Sequence, residues 1–150
     1  MDSDTRNDYK VVLTMNPDQC RVLKYVCELY MRMHLGQLDR LAEDLVRLEP
    51  NHTEEEFNQY MRRLDVAKQI CATLKTIAYP SLIYPGQSRN AEPEEWANEA
   101  CDIWQVLRYA QAWHEQPEGG YSVCFHKPLK KGQYPLPTCE IVEVKSNEPC

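Results

Sequence analysis

Between Val22 and Met33 the apolar residues Val22, Val26, Leu29 and Met33 fall at steps of four, three and four, the spacing that gathers one face of an α-helix. Leu23, Cys27, Tyr30 and His34 form a parallel stripe beside it, so a helix with a wide apolar arc and a central place in the core is expected. Its start is legible. Asn16 stands as N-cap, Pro17 at the first helical position, Asp18 in the first turn, and Gln19 where it closes a capping box. The pattern resumes after Gly36 as Leu38, Leu41, Leu45 and Leu48 and stops before Pro50. Thr53-Glu54-Glu55-Glu56 is a second capping box, opening a longer helix with Phe57, Met61, Leu64, Cys71, Leu74 and Ala78 on one face. Residues 79–91, with two prolines and a glycine, read as a loop able to close over something. A last helix starts near Pro93, with Trp96, Ala100, Ile103, Leu107 and Ala110 as its core stripe. Trp104 and Trp113 widen that stripe, and Pro117-Glu118-Gly119-Gly120 breaks the helix.

Both ends change period. Tyr9 to Met15 is a β-branched run, Tyr121 to Phe125 alternates with period two, and Cys139 to Lys145 is a further β candidate. The expected fold is therefore α+β and mainly helical: three to four helices packed with a small antiparallel sheet formed by N-terminal and C-terminal strands. One globular domain over 9–145 is expected, between flexible ends at 1–8 and 146–150, with no internal repeat.

Composition narrows the function classes. No apolar run reaches the length of a membrane span and the opening MDSDTRNDYK is polar, so a cytoplasmic protein without a signal peptide is expected. A net charge of −6 argues against a binder of polymeric nucleic acid, which needs a basic surface. The seven cysteines are scattered, odd in number and without a CxxC pair, and read as reduced thiols filling the core. Cys20, Cys27 and His34 recur every seven residues, about 10 Å apart on a helix, too far to share one ion. Cys124 and His126 offer only half a metal site. No metal and no cofactor is expected.

Nucleophile, P-loop, dinucleotide and metalloprotease motifs are absent, and the acidic clusters at 54–56 and 92–95 sit where helix starts favour negative charge. Binding is therefore expected over catalysis. The polar and aromatic residues beside the core stripes are the candidates: Tyr30, Arg32, His34 and Gln37 on the first helix, and Trp104, Gln105, Arg108 and Tyr109 on the last. Arginines can meet phosphates, rings can stack on a base, and the two amides can read polar edges. Tyr121 and Lys127 follow a Gly-Gly turn whose backbone N–H groups can receive an anion. Residue by residue, the simpler alternative is a solvated Arg32, a satisfied His34 and an Arg108 paired with an acid.

The blocks KVVLTMNPDQ, ELYMRMHLGQL, DIWQVLRYAQAWH, EGGYSVCFHKPL and PLPTCEIVE together resemble a family of small proteins encoded by phages and prophages. The resemblance runs from about residue 9 to 143 and includes positions matching Tyr30, Gly36, Gln37, Gln105 and Arg108, while the many cysteines depart from it. It implies a homo-oligomeric, non-enzymatic phage protein that sequesters a small anionic nucleotide-derived signal of host antiviral defence. The alternatives are a module that blocks a host protein and, third, a hydrolase of such a nucleotide.

Overall fold

The computed structural model describes residues 11–84, 86–92 and 94–143. Four helices follow in order, α1 (Pro17–His34), α2 (Asp39–Leu45), α3 (Glu54–Ala78) and α4 (Trp96–Glu115), with a 3-10 turn at Val123–Phe125. Both capping boxes form. The Gln19 N–H donates to the Asn16 side chain at 2.9 Å while Asn16 N–H donates back at 3.0 Å. Thr53 N–H donates to Glu56 at 2.7 Å, and Glu56 N–H returns to the Thr53 hydroxyl at 3.3 Å. Each reciprocal pair satisfies N–H groups that the first helical turn leaves without an intrahelical acceptor.

α1 and α4 run antiparallel. Lys24, near the start of α1, donates to Gln111 near the end of α4 at 2.7 Å, while Arg89 joins the last residue of α1 to Glu95 at the start of α4. α2 packs on α3 around Leu38, Ala42, Leu64 and Cys71, with Met33, Val46, Tyr60 and Ala67 against them. α3 runs alongside α2.

Among the described residues there is no strand, which overturns the expected sheet. Val11–Met15 and Cys139–Glu143 are irregular, while Tyr9, Lys10, Val144 and Lys145 lie outside the described residues, as do both of the ends expected to be flexible, 1–8 and 146–150. Tyr121–Phe125 is a bend and a 3-10 turn, with Tyr121 fully exposed. From Val123 to Tyr134 the tail finds other partners for its backbone: side chains of α4 take N–H and C=O groups there that a neighbouring strand would otherwise take.

Two apolar faces are also turned differently from expectation. Val22 and Val26 are 63% and 52% exposed, whereas Cys27, from the neighbouring stripe, is buried. An arc as wide as that of α1 offers two stripes, and α4 covers one of them. On α3, Leu64 and Cys71 are buried, but Phe57, Met61 and Leu74 are exposed, because the seven-residue α2 is too short to cover a helix of 25 residues.

α1 ends at Leu35, after which Gly36 adopts φ +78°. Gly36 N–H donates to Met33 O at 3.0 Å and Gln37 N–H to Arg32 O at 2.9 Å, the paired bonds of a Schellman motif. A Cβ on Gly36 would lie 2.7 Å from Leu82 Cδ1, so the site excludes side chains by conformation and by space. Gly36→Ala is expected to cost about 1–2 kcal/mol for the left-handed backbone alone, plus the displacement of Leu82, read as a lowered thermal midpoint.

Candidate functional site

Two structural devices fasten irregular chain to helix ends or faces, and of the residues chosen from sequence Gln105, Arg108 and the carbonyl of His34 take part in them. The first is a polar stripe on α4 at Glu99, Asp102, Gln105 and Arg108. Steps of three fall about 60° short of a full turn, so the stripe winds obliquely around the helix, and the tail lies along it in the opposite direction. Arg108 donates to Val123 O. Gln105 uses both ends of its amide on Leu129, accepting from its N–H at 2.9 Å and donating to its C=O at 2.8 Å. The two oxygens of Asp102 accept from the N–H groups of Lys131 at 2.8 Å and Gly132 at 3.0 Å. Glu99 accepts from Gln133 at 2.8 Å and Tyr134 at 3.2 Å. Gly132 lets the tail come this close, since a Cβ there would stand 2.3 Å from a Glu99 carboxyl oxygen and push that carboxylate aside. Phe125 completes the attachment by meeting Trp113 edge-on at 5.4 Å between ring centroids.

The second device is Arg89, in the loop between α3 and α4. Its Nε donates to His34 O at 2.7 Å, its two terminal nitrogens grip the Glu95 carboxylate, and its guanidinium stands 5.7 Å from the centre of the Tyr79 ring. Its own N–H donates to Leu35 O at 3.1 Å. The Arg89 guanidinium, followed by the Glu92 backbone N–H, pulls the Glu95 carboxyl down to about 2. Because the folded value lies below the ordinary carboxylate value, the stabilisation is complete above about pH 4.5 and is lost as pH falls through about 2. Glu95→Gln is expected to flatten that part of an acid-unfolding profile without changing the slope near neutrality, a difference read by thermal melts across the pH range.

The ten residues chosen from sequence do not form one pocket. Arg32 is paired with Glu28 at 2.8 Å and donates to Gln37 at 2.9 Å, and the rings of Tyr30 and His34 lie 4.3 Å apart. These four sit at the end of α1, beside the start of α4. Arg108 lies roughly three turns further along α4, on the order of 15 Å away at the helical rise per residue. There it is buried over Trp104, 5.0 Å from the ring centroid, and its Nε makes no hydrogen bond. Tyr109 leans on Trp113 at 6.1 Å, while Tyr121 and Lys127 are exposed.

Sequence reasoning passed over Arg89, Glu95, Glu99 and Asp102. Asp102 carried a usable signal: an acid inside the core-facing arc of a Trp-rich helix must be answered by donors from elsewhere. Arg89 carried none, since an arginine in a proline-rich loop reads as solvated.

A cleft of about 480 Å³ opens between α3, Gly36 and the loop at 82–84, lined among others by Leu38, Lys68, Lys75, Leu82 and Tyr84. Lys75 is buried and donates to Tyr84 O and Gln87 O, and Lys68 pairs with Glu43 at 3.0 Å. Asp39 and Asp65 share the lining, and none of the ten residues chosen from sequence belongs to it. Burial pushes the thiols of Cys27, Cys101 and Cys139 up, away from the thiolate form that a nucleophile needs. Among the described residues no three of His, Cys, Asp and Glu gather as a metal site, and no helix is long and apolar enough to cross a membrane. No family model, curated protein or solved structure matches the chain.

Proposed function

We propose that this chain is a non-catalytic protein-binding module whose working surface includes the outward apolar face of α1. The observation that carries the reading is the exposure of Val22 and Val26 on one face of α1, with Tyr25 beside them. Gln105 and Arg32 hold the chain's own groups, which leaves them few donors or acceptors for a ligand. Exposed apolar residues aligned on a rigid helix fit recognition of a protein, through a helix face seated in an apolar groove. The net charge of −6 adds long-range attraction toward a basic partner. The resemblance to small phage-encoded proteins suits a blocker of a host protein.

The test is capture from host-cell lysate by the immobilised full chain and by a Val22→Glu, Val26→Glu variant. One stoichiometric protein held by the first and lost by the second is the expected result. Equal capture, or none, would remove the reading.

A second reading, sequestration of a small nucleotide-derived signal of host defence, draws on the cleft beside α3. Its volume lies within the range of small-molecule sites, and Lys68 and Tyr84 line it as groups that a phosphate and a base could meet, while Lys75 already donates to Tyr84 O and Gln87 O. Asp39 and Asp65 oppose a strongly anionic guest there. Titration calorimetry against a panel of cyclic nucleotides and ADP-ribose derivatives decides it, and an absence of heat with all of them ends it.

A further inference from the structure

We propose that the cleft beside α3 is a preformed site for a small organic cation, an ammonium group carried on a flat apolar body. The inference goes beyond the protein-binding reading, which uses α1, and a cation in this cleft excludes the nucleotide reading of it.

Floor and rim differ in burial. Leu38, Cys71 and Leu82 are buried and make an apolar floor, whereas Ile83 and Tyr84 at the rim are 78% and 71% exposed. The turn that carries the rim is tied down. The Gln87 side-chain oxygen accepts from Ile83 N–H at 3.0 Å and from Tyr84 N–H at 3.4 Å. The buried Lys75 ammonium holds Tyr84 O and Gln87 O of the same turn. Gly36 brings the end of α1 against the floor, since only its missing side chain lets Leu82 come so near. A site built on fastened elements spends little ordering entropy when a guest enters. Its volume of about 480 Å³ admits a molecule of that size.

Charge selects the guest. Asp39, Asp65, Lys68 and Lys75 all line the cleft, and the two signs are used differently. Glu43 at 3.0 Å, with a longer-range pull from Asp39, holds the Lys68 ammonium, and Lys75 is engaged with backbone carbonyls. Asp39 and Asp65 take no hydrogen bond or ion pair among the described residues. Counting Glu43, three carboxylates stand against two ammoniums, on a chain of net charge −6. An entering anion would meet engaged donors and unengaged carboxylates. An ammonium would find acceptors with capacity to spare. The apolar floor and the Tyr84 ring beside it suit a flat hydrocarbon body, and an aromatic face also attracts a cation.

Tryptamine, its alcohol analogue tryptophol and the anionic indoleacetate carry the same ring and differ in charge. Titrating each into the full chain, followed amide by amide in NMR spectra, tests the proposal. Tryptamine is expected to shift the amides of Gly36, Leu38, Ala72 and Leu82. It should bind about fivefold tighter than tryptophol, a factor that exposed carboxylates can supply and that shrinks as salt is raised. Indoleacetate should bind more weakly than either. Asp39→Asn with Asp65→Asn, at exposed positions, should bring tryptamine to the level of tryptophol with an unchanged helical circular-dichroism spectrum. Ala72→Trp, which fills the cleft from an exposed position of α3, should abolish binding of both. Equal affinity for tryptamine and tryptophol, indoleacetate as the tightest guest, shifts confined to other regions, or binding that survives Ala72→Trp would each overturn the site. So would an absence of tryptamine binding at millimolar concentration. Capture through α1 holds or fails separately, because Val22 and Val26 lie outside the lining.

Discussion

Asp102→Ala is expected to lower stability by about 3 kcal/mol, because it leaves the buried N–H of Gly132 and the part-buried N–H of Lys131 without their charged acceptor. Asp102 is 1% exposed, so water cannot replace the carboxylate without opening the contact. For a chain of this length that corresponds to a fall of roughly 6–12 °C in thermal midpoint. The loss should be local before it is global. Amide exchange should rise first between Leu129 and Tyr134, while α1 and α3 keep their protection. Asp102→Asn keeps the shape but turns one acceptor into a donor facing an N–H, so it should recover less than half of the loss. Equal exchange rates at 129–134 in wild type and Asp102→Ala would show that Glu99 and Gln105 hold the tail unaided.

That tail explains why the sheet was expected and does not form. Period-two alternation at Tyr121–Phe125 and the β-branched run at Cys139–Lys145 describe residues suited to extended chain, but they do not say what takes its hydrogen bonds. Here α4 takes the backbone bonds of the chain from 123 to 134, of which Val123 O alone lies in an expected strand, through polar residues spaced by three, a pattern that in sequence resembles a solvated helix face. Local signals fared better. The N-caps at Asn16 and Thr53 and the terminator at Gly36 depend on a few adjacent residues and are legible without knowing the packing. Which stripe of α1 is buried depends on where α4 lands, so Val22 and Val26 were placed inward although they lie outside.

The same limit applied to the candidate site. His-Leu-Gly-Gln after α1 drew attention as a possible ligand cluster, and its glycine and glutamine supply ordinary helix termination. Arg32 and Gln37 bond to each other across that turn. The group that decides the geometry there is Arg89, 55 residues further along the chain from His34, whose carbonyl it holds.

Arg89→Ala should accordingly be the second most damaging substitution, at about 2 kcal/mol. That figure is held down because Arg89 and Glu95 are each nearly a third exposed and solvent screens their ion pair. The larger effect is positional. Arg89 fixes the carbonyl end of α1, the start of α4 and the Tyr79 ring at once, so its removal should free the loop at 79–91 and loosen the cleft it closes. Exchange protection should fall at Leu35 to Gln37 and at Trp96 to Asn98 together. Arg89→Lys should behave nearly as badly as alanine, because a single ammonium cannot reach the backbone and both carboxylate oxygens at once. A double-mutant cycle with Glu95→Gln completes the argument. Once Arg89 is gone the Glu95 carboxyl loses the main cause of its depression, and the acid-range difference between Glu95 and its glutamine variant should shrink toward zero. If that difference persists undiminished, the backbone N–H of Glu92 holds the carboxylate, and Arg89 is a passenger in the loop.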